Sequence, residues 1–189
     1  FLFDGLSEVW RDDTPLTAQD ILEFDAYCAE RNIELVPSVA TFGHLYKVLR
    51  TKTFHELSEV EEAEGTAFSF YERMCHHTLN STDDRAYELV CRLIDEYSPL
   101  FRSNLFNINC DETFDLGRGR GKERADEIGS HVMYVQWVNR VCEHVKALGK
   151  RPMFWGDIIA AHPEAIKELP EDVICMTWDY SPTPREINV

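Results

Sequence analysis

Hydrophobic positions along the chain alternate between helical and strand-like patterns. Ile21, Phe24 and Cys28 recur at helical spacing behind Thr17-Ala18-Gln19-Asp20. That tetrad is a capping-box sequence with Asp in the last place, and it predicts a helix that Asn32 ends. Tyr87, Val90, Leu93, Ile94 and Tyr97 repeat the spacing behind Thr82-Asp83-Asp84. Val132, Val135, Val138, Val141, Cys142 and Val145 do so over residues 130–148, with Gly149 as the stop. A short helix is expected over 163–169. Between these helices lie short apolar runs at 33–39, 105–109, 152–155 and 173–178, the pattern of strands covered on both faces. Pro37 falls near the end of the first run, where a missing ladder donor is tolerated. Residues 53–65 lack strong periodicity and predict a long surface loop with a helical turn or two. Gly117-Arg118-Gly119-Arg120-Gly121-Lys122 predicts a mobile basic loop, with no helix start directly behind it.

Helices alternating with short apolar strands predict parallel strands joined by right-handed crossovers. An open doubly wound sheet and a (β/α)8 barrel both satisfy that order. Strand ends favour the barrel, because each carries side chains suited to chemistry: His44, then Asp111 and Glu112, then Trp155 and Asp157, then Trp178 and Asp179. Barrel enzymes build one pocket from successive strand ends in this way. The expected class is therefore α/β, an incomplete TIM-barrel type with about four to five βα units of the eight that a barrel needs. Residues 1–189 are expected to form one truncated catalytic domain with flanking barrel strands missing at both ends. Open strand edges attract pairing, so a second copy covering them is a further expectation.

Composition narrows the partners. A formal charge of −15 repels nucleic-acid phosphates and anionic lipid. No apolar stretch is long enough to span a membrane. Aromatic residues make up 12% of the chain, four Trp included, which suits stacking on flat ligand faces as well as core filling. Trp10 and Trp137 are expected to pack in the core, and His76-His77 to lie in a solvated loop. Cys28, Cys75, Cys91, Cys110, Cys142 and Cys175 show neither a CxxC pair nor regular spacing, so they read as unpaired thiols. Unpaired thiols lean toward the cytoplasm. Localisation stays open, because the chain starts at Phe1 without Met and says nothing of a leader upstream.

Asp111 and Glu112 carry the most chemistry. Neighbours on a strand point to opposite faces, so both acids reach one site only where the strand ends and the backbone turns. Glu34-Leu35-Val36-Pro37 leading to Gly43-His44, then Asn107-Ile108-Asn109-Cys110-Asp111-Glu112, Phe154-Trp155-Gly156-Asp157 and Thr177-Trp178 together resemble glycoside hydrolase family 20. Its members are β-N-acetylhexosaminidases with a (β/α)8 catalytic domain. The family's core motif is His-x-Gly-Gly-Asp-Glu. Here the acids match, while Asn107, Asn109 and Cys110 replace the His and both glycines.

The resemblance implies hydrolysis of terminal β-linked N-acetylhexosamine without a cofactor or metal. Adjacent acids fit poorly with carboxylates on opposite sides of a glycosidic bond, but they fit the substrate-assisted exception. Asp111 would orient the substrate's 2-acetamido group, whose oxygen attacks the anomeric carbon. Glu112 would protonate the leaving oxygen and then activate water, retaining the configuration. His44 would tune the acid's proton. Trp155 and Trp178 would wall the acetamido pocket, and Asp157 and Asn107 complete the substrate-binding expectation. Asp157 and Asp179 also stand as residues that hold sugar hydroxyls or orient neighbours. Two alternatives stay open: a sugar-binding module that has lost catalysis, and a metal-dependent barrel hydrolase or isomerase using His44, Asp111, Glu112 and Asp157 for Mn²⁺, Mg²⁺ or Zn²⁺.

Overall fold

The computed structural model describes residues 1–9, 14–61, 69–70 and 77–181. Its first helix, α1 (Ala18–Ala29), begins at the predicted capping box: Thr17 accepts from the Asp20 N–H, and the Asp20 carboxylate accepts from the Thr17 N–H at 2.8 Å. Asn32, with φ of 56°, turns the chain out of the helix. The buried stripe is Ile21, Asp25 and Cys28. Phe24, predicted to face inward, is instead 52% exposed, because the stripe is narrow and passes through Asp25. That aspartate faces Arg102, which lies 3.6 Å away.

A short α2 (Tyr46–Leu49) follows, then α3 (Asp84–Tyr97) and β1 (Leu105–Asn107). Beyond these come α4 (Lys122–Ile128), α5 (Ser130–Ala147), β2 (Arg151–Trp155), α6 (Asp157–Ala161) and β3 (Ile174–Met176). The predicted helix at 163–169 is a 3-10 helix, Pro163–Glu168. Helix α5 buries Val135, Val138, Val141, Cys142 and Val145 as expected, adding Met133, Tyr134 and Trp137. Val132 lies only partly buried, one position off the inward stripe.

All three strands pair in parallel and in chain order, β1-β2-β3, with Phe106 opposite Pro152 and Phe154 opposite Cys175. Chain order without a reversal fits the winding of a barrel, and each half of a doubly wound sheet keeps it too. The predicted strand at 33–39 continues this order as one parallel bridge, Ser38 to Asn107. The Asn107 N–H donates to Pro37 O at 2.8 Å and the Val39 N–H to Asn107 O at 3.1 Å. Pro37 has no N–H of its own, so the ladder stops there. Between sheet and helices lies one hydrophobic core, with Phe42, Phe106, Ile108, Tyr134 and Phe154 fully buried.

Two loop expectations are corrected by packing. The expected helical turn is present as a 3-10 helix, His55–Leu57, but Leu57, Ser58, Glu59 and Val60 are buried, so this part of the 53–65 stretch is packed and not a surface loop. The Gly117–Lys122 loop lies clamped on it and leads directly into α4. Glu59 Oε1 accepts from the N–H groups of Gly119 and Gly121, both at 3.0 Å, and Glu59 O accepts from Arg120 N–H at 2.7 Å. A side chain at Gly119 would meet Glu59 O at 1.9 Å, which is why the approach needs glycine. Arg120 and Lys122 face Glu61 at 3.7 Å and Asp126 at 2.7 Å. His77, expected in solvent, is buried and stacks on His44 with ring centroids 5.0 Å apart. Trp137 packs in the core and donates to Thr41 O at 3.1 Å. Trp10 and His76 fall outside the described residues. Among those residues no helix is long and apolar enough to cross a membrane.

Candidate active site

The acid pair sits in a turn, not at the tip of a strand. Strand β1 ends at Asn107, and the chain then takes a left-handed conformation at Asn109 (φ 59°), Cys110 (φ 66°) and Glu112 (φ 52°). Side chains pay a steric penalty there of about 1–2 kcal/mol each, least for Asn, so neighbours must hold the turn. The Asn109 N–H donates to Asn107 Oδ1 at 3.0 Å, and Asn107 Nδ2 donates to Ser38 Oγ at 3.3 Å. Asn107 thus braces the turn with both ends of its amide. Ser38 Oγ donates to Asn109 Oδ1 at 2.9 Å, and the Trp155 N–H to Asn109 O at 2.9 Å. Cys110 is fully buried, its Sγ 3.3 Å from Thr41 Oγ1.

This turn brings the two carboxylates together. His44 Nε2 lies 3.1 Å from Asp111 Oδ2 and 3.3 Å from Glu112 Oε2. Both acids are largely sheltered, with side chains 17% and 12% exposed. The hydrogen bond to Asp111 is the main cause that lifts the His44 pKa above its usual value; burial opposes it, and the charges of Asp111, Glu112 and Asp157 reinforce it. Burial raises the Glu112 pKa above the ordinary carboxylate range, His44 counteracts, and Asp111 adds to the rise. A carboxyl with a raised pKa, beside a second acid and an imidazole, is equipped for general acid catalysis.

Asp157, the first residue of α6, accepts the Glu112 N–H on Oδ2 at 3.0 Å. Trp155 closes β2, half-buried beside the turn. Trp178 lies past the end of β3, 38% exposed, its ring 5.6 Å from that of Tyr180. Asp179 accepts from the Ser181 N–H at 2.8 Å. Among the described residues no three His, Cys, Asp or Glu side chains group as a metal site would require. Sequence reasoning missed His77 beneath His44, and also Glu59. Neither had a local signal, since both owe their burial to segments distant in the chain.

The order of strands, the acid turn and the histidine agree with a match to the catalytic domain of glycosyl hydrolase family 20, which runs over residues 8–188. The chain belongs to that family. It is 27% identical over 190 residues to human hexosaminidase D, covering 96% of the chain and 37% of that protein. Bovine hexosaminidase D is 25% identical, with 95% of the chain and 51% of the relative covered. The chain thus spans between a third and about half of these family members. A Flavobacterium johnsoniae chitobiase superposes with a TM-score of 0.71 at 23% identity, over 89% of the chain and 25% of the chitobiase. The fold is accordingly part of a TIM-type family 20 barrel, which the winding of the sheet fits.

Proposed function

We propose that the protein carrying this chain is an exo-acting glycosidase that releases terminal β-linked N-acetylhexosamine with retention of configuration. One observation carries the reading: Asp111 and Glu112, adjacent in sequence, converge on a single nitrogen of His44. Carboxylates so close cannot flank a glycosidic bond from opposite sides, which leaves the nucleophile to the substrate's own acetamido oxygen. Asp111 holds His44 through Oδ2 and offers Oδ1 to the acetamido N–H, opposing the positive charge that grows on the ring-closed intermediate. Glu112 gives its proton to the leaving oxygen and then takes one from the incoming water. Its raised pKa suits the first step, and the nearby imidazole steadies the carboxylate left behind. Trp155 and Trp178 would supply indole faces for the acetamido methyl and the sugar ring.

Release of 4-nitrophenol from N-acetyl-β-glucosaminide and N-acetyl-β-galactosaminide by the whole protein tests the proposal. Glu112→Gln should slow turnover of an unactivated disaccharide by about 100-fold or more. A thiazoline mimic of the cyclised sugar should compete with substrate. Indifference to that mimic, or an undiminished Gln variant, would sink the reading.

A further inference from the structure

We propose that Asp157 is the positioning residue for the general acid, clamping the Glu112 backbone so that its carboxyl stays aimed at the glycosidic oxygen; this rests on the hexosaminidase reading above. Glu112 occupies the left-handed region at φ 52°, a conformation that persists only where the surroundings over-determine it. Relaxation to negative φ would swing Cβ, and the carboxyl with it, out of the turn. Two hydrogen bonds prevent this. The Glu112 N–H donates to Asp157 Oδ2 at 3.0 Å, and Glu112 O accepts from the Phe114 N–H at 2.9 Å. With both backbone ends fixed, only the side-chain torsions of Glu112 remain free.

Asp157 is itself held by the sheet. The Gly156 N–H donates to Met176 O at 2.7 Å, and a side chain at Gly156 would meet Cys175 Sγ at 2.3 Å. Glycine therefore lets β2 and β3 close up just before Asp157. The carboxylate then starts α6 with Oδ2 on Glu112 and Oδ1 buried and unpartnered among the described residues. Burial pushes the Asp157 pKa up to about 6, and the N–H groups of Glu112, Asp157 and Ile158 partly oppose that rise. The clamp ties the end of β2 to the turn after β1, so the general acid is set by the neighbouring βα unit.

The test uses the whole protein and two kinds of substrate. A 2,4-dinitrophenyl N-acetylhexosaminide has a leaving group that needs no proton, whereas a disaccharide needs one from Glu112. In Asp157→Ala the acid is misplaced, so kcat on the disaccharide should fall by about 100-fold, the usual cost of a displacement near 1 Å. The dinitrophenyl kcat/KM, which reports only the ring-closing step that needs no proton from Glu112, should change little, and Asp157→Asn, whose amide oxygen still accepts, should recover most of the disaccharide loss. Where the Ala variant does not accumulate folded, Asp157→Glu takes its place with the same expectation, since it keeps the charge but moves the oxygen. Hydrogen exchange of the Glu112 amide reads the clamp without turnover: it should quicken in Asp157→Ala and stay slow in Asp157→Asn. Unchanged exchange in a folded Ala or Glu variant overturns the clamp, and so does a loss equal on both substrates. A wild-type protein inert on every N-acetylhexosaminide, with the exchange pattern intact, overturns the activity and spares the clamp.

Discussion

Gly43→Ala isolates the geometry of the acid turn from its chemistry. A Cβ placed on Gly43 would lie 2.3 Å from the backbone O of Asp111, whereas ordinary contact begins at 3.4 Å. The two loops must therefore part by about 1 Å. Gly43 is not in the left-handed region, so alanine meets no backbone penalty and the effect is purely steric. The loop of Gly43 is poorly placed to yield. Phe42 is fully buried and stacked on Trp137 at 4.9 Å, and Thr41 Oγ1 donates to Ile108 O at 2.6 Å. Asp111 and Glu112 move instead. Overpacking of this kind costs about 1–3 kcal/mol of stability, and a 1 Å shift of catalytic groups costs about 100-fold in rate. Thermal melting together with kcat on a methylumbelliferyl N-acetylhexosaminide measures both. A folded Gly43→Ala protein retaining activity within about two-fold would refute the reasoning, because the acid pair would then not need the place the structure gives it.

Further predictions concern burial. Asp157 has its pKa pushed up to about 6, mainly by burial, against an ordinary 3.8. The folded protein then keeps a proton that the unfolded chain has already released between these two values, so stability falls as pH rises through that window and stays lower above it. Asp157→Asn should therefore gain about 1–2 kcal/mol near neutral pH, allowing for partial exposure, and the gain should vanish as pH falls to the ordinary value; denaturant titrations at both ends of the window measure it. Cys110 and Cys142 are fully buried whereas Cys175 is exposed, and burial raises all three thiols. Native alkylation followed by mass spectrometry should label Cys175 well before the other two, which should react only after unfolding.

Legibility in the sequence tracked the range of the interactions involved. The capping box at Thr17 was readable because its partners lie three residues apart. The order of strands was readable because buried parallel strands are continuous apolar runs. By contrast, the run at 33–39 looked like a full strand, yet Pro37 reduced it to one bridge with β1. Glu59 resembled any surface acid in a charged stretch, and only the approach of Gly119 and Gly121, some sixty residues on, makes it a buried clamp. The same holds at the site. Adjacent acids, His44 and the two Trp were visible as types at strand ends. The grip of Asp157 on the Glu112 backbone was not, since nothing in a residue's identity announces which distant N–H it accepts.

The replaced glycines of the acid motif have a backbone explanation. Positions 109 and 110 are both left-handed, at φ 59° and 66°, which is where a chain without Cβ is favoured. Asn109 is the side chain that tolerates this region best, and its own carbonyl oxygen takes the Ser38 hydroxyl. Cys110 has no such aptitude, but its small side chain fits a sealed pocket beside Thr41 and Ile108. The turn thus keeps the shape that glycines would give it, at a cost of about 1–2 kcal/mol for the cysteine that the core repays by burying its sulfur. A change from Gly-Gly to Asn-Cys therefore alters the wall of the turn, while the left-handed backbone path, braced by Asn107, Asn109 and Ser38, keeps Asp111 and Glu112 on His44.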